Sequence, residues 1–154
     1  MPTVNRSRVV SASVANVWEL VSDPYNLPRW WPRCVRVEDV GGGGAGARRT
    51  RWTAVMETEK GRTVRADFRC VSAAEGERYA WEQELEGSPF ERILQSSSVQ
   101  IDLAPAKGPE EAAKVTVRSM QKLRGLSRLG SPMMRTGSAR NLDAALDGIE
   151  AALT

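Results

Sequence analysis

Histidine is absent from the 154 residues. That removes the Ser-His-Asp and Cys-His nucleophilic systems, two-histidine zinc sites and the usual general base near neutral pH. Cysteine is nearly absent as well. Cys34 and Cys70 are too few for a four-thiolate site and match no metal-ligand spacing. One bridge between them is arithmetically allowed, but two buried thiols in a reducing cytosol is the expected state. No stretch approaches the ~18–20 apolar residues of a membrane span. The opening Met1-Pro2-Thr3-Val4-Asn5-Arg6 also lacks the apolar run of a targeting segment. The expectation is a soluble cytoplasmic protein that uses neither metal nor cofactor.

Hydrophobic residues make up 41% and charged residues 27%, which is the mix of an ordinary globular domain. The length suits one domain over residues 1–154, long enough to surround a small-molecule cavity. A chain of this size buries roughly 68–70% of its unfolded surface and folds without disulfide or metal. The net charge of +3, carried mostly by arginine, permits acidic partners without demanding one.

Hydrophobic periodicity divides the chain into elements. Val4 to Ala12 suits a strand, and Ser13 stands as N-cap before Val14, Val17, Trp18 and Val21 at helical spacing. Asp23-Pro24 stops that helix. The proline-bracketed stretch Pro24 to Pro32 has room for a turn or two of helix. From Arg33 to Leu123 the period becomes two, with strands expected at Val35–Val40, Arg49–Thr58, Thr63–Ser72, Arg78–Glu86, Phe90–Leu103 and Lys114–Leu123. Short Gly, Pro and Ser breaks separate them, so they should pair antiparallel as a meander. Ser131-Pro132 opens a last helix that carries Leu142, Ala145, Leu146, Ile149, Ala152 and Leu153 on one face. Gly137 and Gly148 each cost that helix roughly 1 kcal/mol relative to Ala, which admits a kink.

These elements make an α+β domain in which a curved antiparallel sheet of about seven strands wraps the C-terminal helix. Arg65, Asp67 and Arg69 would face Glu82 and Glu84 on the wet side. Val64, Ala66, Phe68, Cys70, Tyr79, Trp81 and Leu85 would face the buried side.

The order and several local patterns resemble the START-like or Bet v 1-like superfamily. Within it they are most similar to the polyketide cyclase/dehydrase and lipid-transport branch. The resemblance rests on Ser11-Ala12-Ser13-Val14-Ala15-Asn16-Val17-Trp18 and on Asp23-Pro24-Tyr25-Asn26-Leu27-Pro28-Arg29-Trp30-Trp31-Pro32. The terminal helix from about Pro132 to Leu153 then matches the helix that the sheet grips. What the resemblance implies is a helix-grip fold with two short helices after the first strand and a habit of binding hydrophobic ligands. It does not choose among aromatase/cyclases, lipid and sterol carriers, plant hormone sensors and co-chaperones.

The inward rows hold more polarity than a dry core tolerates. Gln83 lies in register with Tyr79 and Trp81. Gln95 and Ser97 share a row with Ile93, Val99 and Ile101, and Ser119 and Gln121 share one with Val115 and Val117. A buried amide or hydroxyl without a partner costs about 1–3 kcal/mol, so these groups should meet water, one another or a ligand. The expected ligand-binding set is therefore Trp30, Trp31, Trp52, Met56, Phe68, Tyr79 and Trp81 for contact area. Gln83, Gln95, Ser97 and Ser119 would set orientation, and Met133 would adapt from the last helix. The bland alternative is ordinary core packing, or a register slip that turns a row outward.

Other patterns carry less. Gly41, Gly43 and Gly46 satisfy G-x-G-x-x-G, but the segment after them reads as strand, so no helix N-terminus is present to hold a pyrophosphate. Arg48, Arg49 and Arg51 beside Trp52 lack the repeated stacking platforms of a single-strand nucleic-acid groove, and no nucleic-acid partner is expected. No catalytic residue can be assigned: Tyr79 is the one candidate proton donor, while Arg92, Arg118 and Asp102 fall on outward rows. The function expected is binding of a hydrophobic or aromatic small molecule, lipid or polyketide-like, between sheet and last helix. The first alternative is a polyketide cyclase, aromatase or dehydratase that works by folding its substrate. The second is a co-chaperone-like or ribosome-associated interaction module. A homodimer is compatible with all three.

Overall fold

A computed structural model describes residues 3–42, 49–108, 110–125 and 131–154, with backbone alone at 131–136. Strand β1 (Thr3–Val10) leads through Ser13 into α1 (Val14–Val21), where the Ser13 hydroxyl accepts from the Asn16 backbone N–H at 3.1 Å. Such a cap offsets one of the orphan donors at a helix start. Asp23 caps the following 3-10 turn in the same way, accepting from the Tyr25 N–H at 3.0 Å. The single-turn α2 (Leu27–Trp30) comes next, and Arg33, at φ 63, turns the chain from Trp31-Pro32 into β2 (Cys34–Gly41).

Five further strands follow: β3 (Arg51–Glu57), β4 (Thr63–Ala74), β5 (Arg78–Glu84), β6 (Leu94–Pro105) and β7 (Ala113–Leu123). All neighbours are antiparallel and the order is β1-β7-β6-β5-β4-β3-β2, a meander with β1 returned to the far edge beside β7. The terminal helix α3 (Ser131–Leu153) packs on β1, β7, α1 and α2. The fold expected from the pattern is the fold found. One strand boundary moves by more than two residues. Phe90 to Arg92 belong to a 3-10 turn with Pro89 in its first position and the Ser88 hydroxyl accepting from Phe90 N–H at 3.2 Å, so β6 starts only at Leu94. Gly43, Gly46 and Arg48 lie outside the described residues.

Apolar stripes from every layer meet in one core. Leu142, Ala145, Leu146 and Ile149 are buried on one face of α3, against Val10, Val17, Ile101, Val115 and Val117. The opposite face of α3 is charged. Arg6 reaches Asp143 at 3.4 Å, and Arg8 reaches Asp147 at 2.5 Å and Glu150 at 3.1 Å. These pairs are half-exposed and contribute at most about 1 kcal/mol each, so burial holds the helix and charge only sets its register on β1. The wet face of the sheet is laced likewise, with Arg69 on Glu82 at 3.2 Å and Arg65 on Glu38 at 3.0 Å.

The two glycines of α3 do not kink it; the helix runs unbroken from Ser131 to Leu153. Their reasons differ. A Cβ at Gly148 would lie 2.7 Å from the Trp30 Cα and closer still to the Trp30 carbonyl oxygen, so α2 is pressed directly on the α3 backbone there. A Cβ at Gly137 would meet nothing within 4 Å. Gly148→Ala should therefore destabilise the protein by about 1–3 kcal/mol despite the better helix former, as overpacking does. Gly137→Ala should stabilise it by about 0.5–1 kcal/mol. Urea unfolding followed by circular dichroism reads both, and equal effects would refute the contact.

Candidate ligand cavity

Between the sheet and the N-terminal half of α3 the core opens into a cavity of about 330 Å³. That size lies within the roughly 300–1,000 Å³ of small-molecule sites. One wall is apolar: Met56 on β3, Val64, Ala66 and Phe68 on β4, Trp81 on β5 and Val99 on β6. The alternation of the strands puts these side chains on one face, as the sequence pattern requires. Trp31, after α2, closes one side, and Phe90 from the 3-10 turn closes another.

The second wall is polar. Ser97 on β6 and Gln121 on β7 are cross-strand partners, as are Val99 and Ser119. Gln121 Nε2 donates to Ser97 Oγ at 3.4 Å, and Ser138 Oγ of α3 donates to Gln121 Oε1 at 3.4 Å. Both bonds are longer than the usual range, so a better placed acceptor or donor would replace them at little cost. Ser119 is buried beside this chain, with Gln83 and Asn141 on the same lining.

Aromatic packing stands behind the apolar wall. Trp81 lies edge-on to four rings: Trp31 at 5.3 Å, Trp30 at 6.0 Å, Trp52 at 6.0 Å and Tyr79 at 6.2 Å between centroids. Trp52 stacks on Phe68 at 6.1 Å. Edge-on pairs of this kind contribute about 0.5–1.5 kcal/mol each beyond their buried area.

Of the residues expected to line a site, the structure brings Trp31, Met56, Phe68, Trp81, Gln83, Ser97 and Ser119 to this one cavity. Trp30, Trp52 and Tyr79 do not reach its surface; they are buried one ring behind it. Gln95 is a correction. A register shift between Leu94 and Ser96 turns Leu94 and Ser97 inward, leaving Ile93 and Gln95 exposed on the outer face. A bulge adds one residue and flips the row, which strict alternation cannot foresee. Met133 lies in α3 outside the described side chains. Ser138, Asn141 and Phe90 were missed. For the first two the signal was available, since Ser138 and Asn141 continue the stripe of Leu142, Ala145 and Ile149 toward the helix start.

Among the described residues, the lining holds no ionisable side chain. Tyr79 is off the lining and cannot donate to a molecule in the cavity; burial, then the neighbouring Cys70, pushes its phenol far above its ordinary value. Burial also pushes the Cys34 thiol up to about 11 from 9.0, and both cysteines are free and buried. Arg118 is held by Asn5 at 2.7 Å and Asp102 by Arg78 at 3.0 Å, both away from the cavity. Trp52 is buried and Arg51 pairs with Glu84 at 2.7 Å, so this pair offers no exposed stacking surface. The described residues include no group of acidic, cysteine or histidine side chains able to hold a metal. No helix among them is long and apolar enough to cross a membrane.

A seven-stranded antiparallel sheet gripping a C-terminal helix, with short helices after β1 and a cavity between the layers, defines the START-like helix-grip class. The chain belongs to the polyketide cyclase/dehydrase and lipid transport family, whose profile matches residues 1–154. A START superfamily protein from Mycobacterium smegmatis superposes with a TM-score of 0.76 at 15% identity, covering 98% of this chain and 96% of that one. The Zhui aromatase/cyclase from Streptomyces sp. R1128 gives 0.75 at 18% identity over 97% of this chain and 91% of its own. The di-domain aromatase/cyclase StfQ of the steffimycin biosynthetic pathway gives 0.79 at 12% identity, over 99% of this chain and 50% of that one. No curated protein sequence matches.

The raised thiol and phenol fix a pH dependence. A group whose folded pKa is raised gives stability that is complete below its unfolded value and lost as pH climbs toward the folded one. For Cys34 that window runs from 9.0 to about 11, and Tyr79 extends it upward from 10.0. Thermal midpoints should hold level up to about pH 9 and then fall. Tyr79→Phe should flatten the upper part of that fall, and an unchanged slope would show that the phenol is not excluded from water.

Proposed function

We propose that this chain binds a compact, largely apolar or aromatic molecule carrying one or two hydrogen-bonding groups, lipid or polyketide-like in character. The observation that carries this is the amide–hydroxyl chain Ser97–Gln121–Ser138 set into a cavity otherwise walled by Met, Val, Phe and Trp side chains. Apolar surface supplies affinity, and a few convergent polar groups supply orientation. Membership of the family supports the same reading.

The cyclase alternative has a narrower form here. With no ionisable group on the described lining, turnover would rest on folding the substrate and on neutral donors such as Ser119 and Gln121 near a developing oxyanion. Binding requires less of these residues than turnover does, and it is the reading the lining favours.

Titration with the uncharged fluorophore N-phenyl-1-naphthylamine tests the cavity. Ser119→Leu, which puts an isobutyl group into the space, should weaken binding by about tenfold or more, while Gln95→Ala on the outer face leaves it unchanged. Circular dichroism confirms that both variants fold. Equal affinity for all three proteins would place the probe elsewhere and remove the reading.

A further inference from the structure

The β5–β6 ladder runs from Arg78 opposite Asp102 to Glu82 opposite Ser98 and stops there. Neither strand has ended. β5 continues to Glu84 against β4, and β6 reaches back to Leu94 against β7. The register shift at Leu94/Ser96 swings β6 aside, as a bulge sharpens local twist. The rungs that would join Gln83 to Ser97 and Glu84 to Ser96 are missing, and the sheet is split at that point. Backbone groups facing such a split need water or a visiting molecule.

Two concavities meet at the split. On the inner side is the cavity, and on the outer side a polar cleft of about 980 Å³. Gln83 lines both. Consecutive residues divide between them, Ser97 inside and Ser96 outside, Phe90 inside and Glu91 outside. The 3-10 turn that carries Phe90 and Arg92 therefore spans the gap like a strap. The cleft is charge-balanced, with Arg51, Arg69, Arg92 and Arg124 set against four glutamates, so its lining favours neither sign of charge.

We propose that this split is a ligand portal through the sheet, with Gln83 and Phe90 as the residues that set what passes. It acts beside the rim at Thr58 and Asn141, both exposed, on the α3 side of the cavity. The proposal rests on the cavity binding an apolar ligand. It adds that a molecule longer than the cavity can keep its polar end in the outer cleft.

Stopped-flow exchange of N-phenyl-1-naphthylamine tests it in an Asn141→Trp background, which crowds the rim. Adding Gln95→Trp, which crowds the outer cleft beside the split and lies off the cavity lining, should slow association and dissociation together by about tenfold, leaving Kd within about twofold. Phe90→Ala in the same background should speed association, so the result does not hang on one variant's folding. Unchanged rates on adding Gln95→Trp, with binding intact, would overturn the portal alone. Failure of the wild-type protein to bind the probe would remove the cavity reading and the portal with it.

Discussion

Much of this structure depends on where one indole sits. Trp81 lies at the centre of the sheet, on the strand whose inward row also carries Tyr79 and Gln83, and four other aromatic rings meet its edge or face. Through Trp30 and Trp31 it fixes the short α2 segment. Through Trp52, which in turn stacks on Phe68, it packs against β3 and β4, and with its own remaining surface it walls the cavity. Aromatic side chains suit this task because a large buried area comes with only two rotatable bonds. The cavity is therefore bounded by a rigid panel on one side, and its shape is not left to flexible aliphatic chains.

The opposite wall obeys a different logic. A hydroxyl–amide–hydroxyl chain inside a protein is costly unless its members are satisfied. Ser97, Gln121 and Ser138 satisfy one another only through long bonds of 3.4 Å, which leaves capacity for a ligand. No charge stands near enough to pull a proton from anything bound, among the described residues of the lining. Around the cavity, helix and sheet thus meet through neutral groups, while the charged pairs described above lie on the outer face and at the β1–α3 seam.

Most of the architecture was legible in the sequence because each level agreed with the next. The spacing of Val14, Val17 and Val21 after Ser13, the period of two from Arg33 to Leu123, and the stripe ending at Leu153 all point to the fold observed. The site was legible only where alternation stayed strict. Trp81, Gln83, Phe68 and Ser119 stand on unbroken rows and fell where the period put them. Gln95 stands on a bulge, and no composition signal marks a bulge in Leu94-Gln95-Ser96. Trp30, Trp52 and Tyr79 faced inward as expected, but an inward side chain reaches either a cavity or the packing behind it. That distinction is set by depth, which a one-dimensional pattern does not contain.

Gly148 has a consequence for how the cavity can respond to what enters it. Its Cα lies against the Trp30 backbone with no side chain between, so the C-terminal half of α3 has no slack in which to slide or tilt. At Gly137, nearer the start of the helix, a Cβ would meet nothing within 4 Å. Close contact thus anchors the helix at Gly148, while Ser138 meets Gln121 through a bond of 3.4 Å. A guest too large for the cavity should therefore strain the Ser138–Gln121 bond before the Gly148–Trp30 contact. Tolerance of size and loss of orientation are in this way tied to the same bond.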